Sequence, residues 1–196
     1  VTIDGFEITG ATGITTSGVT NIGIRNNKIL VAAAGVNSQD IATSAGNTLT
    51  IEDNCISLSG QVAGGLPTAG IAVSDASGTH AVVMDDNTVT GAFYGYGLYG
   101  LNTTASSIVS DGSVNGAMQG IAIANTVDLV TKLPSNVSVS GMAIFGFEGD
   151  HPALTGRNFH AGIYTFTTAG TVPAEGITLS VEGSTINGTQ TVTQAS

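Results

Sequence analysis

The residues best suited to chemistry gather in one segment, 145–160, which reads FGFEGDHPALTGRNFH. Its candidate catalytic side chains are Glu148, Asp150, His151, Arg157 and His160. A carboxylate there could act as a general acid or base, an imidazole titrates near neutral pH, and a guanidinium can pair with the carboxylate of a sugar. We nevertheless favour an ordered surface loop, because polar side chains in a loop commonly satisfy one another's hydrogen bonds.

The tyrosines suggest a second kind of site, a ligand-binding surface. Tyr94, Tyr96 and Tyr99 are three of the four tyrosines in the chain and lie in one run, 93–99. Rings separated by glycine predict a flat platform for the faces of sugars, since each ring offers a large apolar area with a polar tip. The same rings could instead fill the interior of the fold. The sequence leaves both interpretations open.

An internal repeat must position these residues. A six-residue frame, apolar-x-x-(Asn or small)-x-apolar, occurs seven times, with starts that are 21 to 42 residues apart. The frames begin at Ile3, Ile24, Ile51, Met84, Val109, Val139 and Val181. A second mark, glycine followed by a branched aliphatic residue, lies between them at Gly13-Ile14, Gly35-Val36, Gly70-Ile71, Gly97-Leu98, Gly120-Ile121 and Gly162-Ile163.

Each copy of the repeat predicts short β-strands joined by a corner. Apolar and polar residues alternate with period two, and the apolar ones are mostly β-branched, as in strands. Helices are poorly supported, because glycine and β-branched residues interrupt every window long enough to form one. A repeat of about 30 residues that contains strands and corners is typical of one coil of a solenoid.

Stacked coils would align equivalent side chains about 4.8 Å apart. Asn27, Asn54 and Asn87 occupy the same corner position, where their amides could bond to one another and to the bent backbone. With this asparagine column the sequence resembles the right-handed parallel β-helix superfamily, the pectate-lyase-like fold. The resemblance implies an all-β, right-handed parallel β-helix of about seven coils, in a single domain over 1–196 with a long loop at 145–162. No Gly-His-Gly or Arg-x-Lys motif is present, so no catalytic role is carried over.

An acidic column is expected beside the amides. Asp53 and Asp86 precede two of the asparagines, and Asp111 takes the same place in the next frame. Like charges at this spacing repel, and oxygen ligands suit Ca²⁺. Similar β-helix lyases bind Ca²⁺ through carboxylates on adjacent strands. We favour a solvated acidic strip, so that no cofactor is required and calcium is the alternative. The single Cys55 is predicted to be a small buried thiol.

The composition excludes several classes of partner. The chain has 196 residues, of which 41% are hydrophobic and 9% charged, with 4 basic against 14 acidic side chains and a net charge of -10. This balance argues against nucleic acid and against anionic membrane surfaces. The longest nearly apolar stretch, 29–36, is too short to span a bilayer. Few charges together with many Ser, Thr and Asn residues favour an extracellular or cell-surface location.

Two functions from different classes follow from these features. The one that we favour is a non-enzymatic β-helix that acts as a structural, adhesive or self-assembling, filament-forming surface module. The strand-like start Val1-Thr2-Ile3 supplies no cap, so its expected partners are copies of itself, end to end, or flanking domains of a longer chain. The alternative is a polysaccharide-binding or polysaccharide-degrading module, of lyase or hydrolase type, that uses segment 145–160, the tyrosines and calcium.

Overall fold

A computed structural model describes residues 1–18, 21–59, 68–125, 135–146, 161–167 and 176–188. Within these ranges the chain forms eighteen β-strands and no helix. Every pairing between named strands is parallel, and one isolated antiparallel bridge joins Ser44 to Asn47. The all-β class and the parallel strands predicted from the sequence are therefore confirmed. No helix in the described part of the chain could cross a membrane.

The strands form two sheets. The seven-stranded sheet contains, in spatial order, β1 (Thr2–Asp4), β3 (Ile22–Arg25), β5 (Leu49–Glu52), β8 (Val83–Asp85), β11 (Ser107–Ser110), β14 (Ser135–Ser140) and β17 (Ile177–Glu182). The eleven-stranded sheet contains β2 (Glu7–Ser17), β4 (Lys28–Thr43), β6 (Cys55–Leu58), β7 (Ala69–Gly78), β9 (Thr88–Thr90), β10 (Tyr94–Thr103), β12 (Ser113–Asn115), β13 (Gln119–Asn125), β15 (Ala143–Phe145), β16 (Ala161–Thr167) and β18 (Thr185–Asn187).

The repeat explains how the strands align. The first apolar residues of all seven frames are successive register partners in the seven-stranded sheet, from Ile3 through Ile24 to Val181. The last apolar residues of the frames align in the same way in the other sheet, from Ile8 to Ile186. Each frame thus supplies one strand to each sheet, with its two central residues at the corner between them.

The hydrophobic core lies inside these aligned columns. Ile24, Ile51, Ile29 and Ile56 have no exposed surface, and their counterparts in the later frames are equally buried up to Ile144. Fully burying such a side chain contributes about 1.5–3 kcal/mol. At the last edge the same columns are open to solvent, with Val181 and Ile186 exposed by 45% and 47%. At the first edge Ile3 and Ile8 are partly buried against the core.

The second mark of the repeat is confirmed at five positions and wrong at one. Tyr96, not Leu98, is the register partner of Ile71 and Ile121, so the aligned glycine is Gly95 rather than Gly97. Leu98 is also buried, but its register partners belong to a different column of residues from that of Tyr96. Because both glycines precede a large buried side chain, the residue pattern alone could not choose between them.

The aligned glycines form a close-packed glycine column, defined as Gly13, Gly35, Gly70, Gly95, Gly120 and Gly162. At Gly70 an added Cβ would lie 2.2 Å from Cγ1 of Val89 and 2.8 Å from the carbonyl oxygen of Gly95. Backbone and side chain therefore approach each other too closely for any residue larger than glycine.

Cys55 is exposed, against the prediction of a buried thiol. It lies at the start of β6, where its register partners are Lys28 and Thr88. The adjacent Ile56 faces the core and is fully buried. Alternation along the strand therefore turns Cys55 outward, and its position in the frame overrides its preference for burial.

Candidate functional site

The asparagine column forms a buried hydrogen-bonded series. Asn27 Nδ2 donates to Asn54 Oδ1 at 2.9 Å, and Asn54 Nδ2 donates to Asn87 Oδ1 at the same distance. The backbone N–H of Asn27 and that of Asn54 donate to the same two oxygens at 3.1 Å. All three side chains are at most 1% exposed. These amides therefore satisfy backbone groups that the corner removes from the sheets, which is a structural role.

The asparagine column ends for a steric reason. Gly112 takes the next corner position, and a Cβ there would lie 2.3 Å from the carbonyl oxygen of Asn87. At the far end of the stack a hydroxyl replaces the amide, because Met142 N–H donates to Ser184 Oγ at 3.2 Å. A frame without asparagine can thus satisfy a backbone N–H group at the corner with another side chain.

The acidic column occupies a position with an unusual backbone conformation. Asp53, Asp86 and Asp111 have positive φ values of 56°, 49° and 52°. The equivalent residues of the other frames also have positive φ, and they are Gly5, Asn26, Gly141 and Gly183. Only Gly, and to a lesser degree Asn and Asp, adopts this left-handed conformation readily. The corner therefore selects these residue types by conformation, before any role of their charge.

The carboxylates of the acidic column point to solvent and do not converge. All three side chains are exposed. Among the described residues, no three His, Cys, Asp or Glu side chains are close enough to hold a metal ion together. The neighbouring Asp85 already accepts a short hydrogen bond of 2.5 Å from the Ser110 hydroxyl. Calcium at the acidic column stays a prediction.

The two described cations form ion pairs at one end of the stack. Arg25 Nε lies 3.0 Å from Asp4 Oδ2, and Lys28 Nζ lies 3.3 Å from Glu7 Oε1. The Asn26 amide and the Arg25 guanidinium both hydrogen-bond Asp4 and lower the pKa of its carboxyl. On the other side, Glu52 is also a register partner of Arg25. The backbone register permits both partners, but Asp4 has Asn26 beside it as a second donor.

The three predicted ligand-binding tyrosines separate into two groups. Tyr96 is fully buried, so it packs in the core and cannot offer its ring to a ligand. Its hydroxyl donates to the carbonyl oxygen of Asn87 at 3.4 Å. Tyr94 and Tyr99 are half-buried on the outer side of β10 and share a side-chain hydrogen bond.

The structure adds two aromatic residues of β16 to the half-buried tyrosines. Tyr99 and Phe166 meet edge to face, with ring centroids 6.3 Å apart, and Phe166 stacks on Tyr164 at 5.4 Å. We call Tyr94, Tyr99, Tyr164 and Phe166 the aromatic patch. One sequence signal for β16 was available, since Tyr164 directly follows the mark Gly162-Ile163. The mark predicted at Gly97-Leu98 would align Tyr164 with Tyr99, whereas the register of the structure aligns it with Gly97.

Burial raises the pKa of Tyr96 and Tyr99 well above the ordinary tyrosine value of 10.0. Above pH 10.0 the unfolded chain releases these protons while the folded chain keeps them. The folded state then binds more protons, so the free energy of unfolding falls as pH rises. Below that pH both states are protonated and these groups add no pH dependence.

We expect Tyr96→Phe to weaken this alkaline loss of stability. Urea unfolding of the wild type and of Tyr96→Phe, measured at about pH 8 and at about pH 11, gives the difference directly. The variant should lose less free energy between the two conditions, because Phe has no proton to release. An equal loss of unfolding free energy in both proteins would show that Tyr96 does not cause the loss of stability at alkaline pH.

The predicted catalytic candidates Glu148, Asp150, His151, Arg157 and His160 lie outside the described residues. The two ends of the loop predicted at 145–162 belong to strands, since Phe145 ends β15 and Ala161 begins β16. A comparison with protein-family models, curated proteins and solved structures finds no significant match. The function therefore has to be inferred from the geometry of the chain itself.

Proposed function

We propose that the chain is a right-handed parallel β-helix of seven coils that serves as a non-enzymatic structural module on an extracellular surface. In this proposal the module extends by stacking a further coil on each edge. The further coil comes from a second copy or from a flanking segment. The support is the continuity of the apolar columns, which run in register through all seven frames, are exposed at the last edge and are partly buried at the first.

The two edges carry matching residues. A coil stacked below β17 and β18 would place its own Ile3 beneath Val181 and its own Ile8 beneath Ile186, because these residues share columns. Phe6, which is 58% exposed, lies at the opposite edge from Ile186. Edge strands offer unpaired backbone groups as well, so stacking supplies both hydrogen bonds and apolar burial. All strands are parallel, so this contact joins one edge to the other and is head to tail.

Two edge variants test this arrangement. Phe6→Lys places a charge at the first edge, and Ile186→Lys places one at the last. Leu30→Lys is the matched control, because Leu30 is 37% exposed in β4, away from both edges. Sedimentation should show wild-type association that grows with concentration and persists in Leu30→Lys. Each edge variant alone should remain monomeric.

A mixture of the two edge variants decides the polarity of the contact. Each variant keeps one intact edge, and the two intact edges are complementary. The mixture should therefore form dimers and nothing longer. Wild type that stays monomeric at every concentration, or edge variants that associate as the wild type does, would contradict the stacking of one copy on another. A crystal structure with left-handed coils would contradict the fold.

A further inference from the structure

We propose that the aromatic patch is a binding site for a neutral sugar ring of a glycan chain. This site goes beyond the structural role, since it lies on one face of the eleven-stranded sheet, on β10 and on the edge strand β16. It combines apolar ring surface, phenolic hydroxyls and the absence of any described cation nearby. Each of these features favours an uncharged sugar over other ligands.

The patch is built on a strand of small residues. Tyr99 of β10 and Phe166 of β16 are both register partners of Ala124, on the β13 strand between them. Their rings meet across β13, and Ala124 beneath them is fully buried. The small side chain lets two rings from strands about 10 Å apart join into one surface. Such a surface matches the apolar C–H face of a pyranose ring.

The polar groups of the patch lie beside the rings. Tyr94 and Tyr99 share a side-chain hydrogen bond, and both side chains are only half-buried. Sugars present hydroxyl groups around an apolar face, so a ligand on the rings can exchange hydrogen bonds with these phenols. The patch therefore offers the same mixture of apolar and polar contacts that a sugar offers.

Charge selects a neutral ligand. Arg25 and Lys28 are the only cations among the described residues, and they pair with Asp4 and Glu7 at the first edge of the stack. The whole chain carries a net charge of -10. An anionic polysaccharide would be repelled by this net charge, and no cation of the described residues lies at the patch to offset it.

Gly97 positions the ring of Tyr99. A Cβ on Gly97 would lie 3.0 Å from Tyr99 Cε2 and 3.2 Å from the Tyr99 hydroxyl. The ring thus leans over Gly97, in contact that leaves no room for a side chain. Gly97 has no positive φ, so alanine fits the backbone and the mobile ring must give way. Gly97→Ala therefore displaces the ring without removing it.

Calorimetric titration with cellohexaose, mannohexaose and oligogalacturonate tests the proposal. Tyrosine fluorescence gives a second readout, because the chain contains no tryptophan. At least one of the two neutral hexasaccharides should bind, and oligogalacturonate should not. Tyr99→Ala should weaken binding about tenfold, the loss of one aromatic contact. Gly97→Ala should weaken it in the same direction. Gly23→Ala should bind as the wild type, since a Cβ there meets only Thr2 at 3.7 Å.

Three results would overturn the proposal. The first is no heat and no fluorescence change with either neutral hexasaccharide. The second is equal binding by wild type and Tyr99→Ala. The third is a changed sedimentation profile of Tyr99→Ala, which would show that the patch covers a second copy of the chain instead. Unchanged unfolding midpoints in urea would show that the variants remain folded.

Discussion

Replacing Gly70 with alanine is expected to destabilise the protein by about 3 kcal/mol, the upper end for overpacking a core. The new methyl group would lie 2.2 Å from Cγ1 of Val89 and 2.8 Å from the carbonyl oxygen of Gly95. Val89 is fully buried and the oxygen belongs to the backbone of the adjacent strand. The carbonyl oxygen cannot move without separating β7 from β10, and the Val89 side chain of β9 is enclosed by the core.

The matched control for Gly70→Ala is Gly23→Ala. Gly23 also lies in a strand and lacks a positive φ, but its nearest neighbour to an added Cβ is Thr2 at 3.7 Å. This substitution should leave the free energy of unfolding nearly unchanged, or raise it slightly by restricting the unfolded chain. Urea unfolding of both variants gives the comparison. Equal midpoints for Gly70→Ala and Gly23→Ala would show that the close approach at Gly70 does not constrain the fold.

The second large effect is expected at the centre of the asparagine column. Asn54 Oδ1 accepts from the backbone and from the side chain of Asn27, and Asn54 Nδ2 donates to Ile24 O at 2.9 Å and to Asn87 Oδ1. Asn54→Ala would leave donors and acceptors unpaired in a site with 1% exposure. The free energy of unfolding should fall by about 3 kcal/mol, the range for unsatisfied buried polar groups.

Asn115→Ala is the control for Asn54→Ala, because Asn115 is exposed at the end of β12. It should cost less than about 0.5 kcal/mol, as surface substitutions usually do. Hydrogen exchange adds a local readout, since the amide of Asn27 should lose protection in Asn54→Ala. A loss of stability no larger than that of Asn115→Ala would mean that water replaces the missing amide.

The sequence was informative wherever a physical constraint repeats. The frame starts, the parallel strands and the inward position of the apolar residues all follow from a period that seven copies share. A choice within one copy was harder to predict. Gly95 and Gly97 both precede large buried residues, and only the hydrogen-bonded register distinguishes them.

The candidate site was predicted only in part, because neighbouring strands of the sheet come from distant parts of the sequence. Tyr94 and Tyr99 were identified from their local run, whereas their partner Phe166 lies 67 residues after Tyr99. Tyr96 illustrates the opposite limit. Tyr96 belongs to the same run as Tyr94 and Tyr99, but its hydroxyl reaches the carbonyl oxygen of Asn87 and its ring lies in the core.

The left-handed corner next to the asparagine column has a consequence for how the surface can evolve. The backbone there accepts glycine, asparagine or aspartate, which differ in charge but share one conformation. Drift among the three residue types can therefore adjust the electrostatic potential of one frame after another while the path of the backbone stays the same. Solubility and mutual repulsion between molecules become properties that selection can tune separately from the architecture.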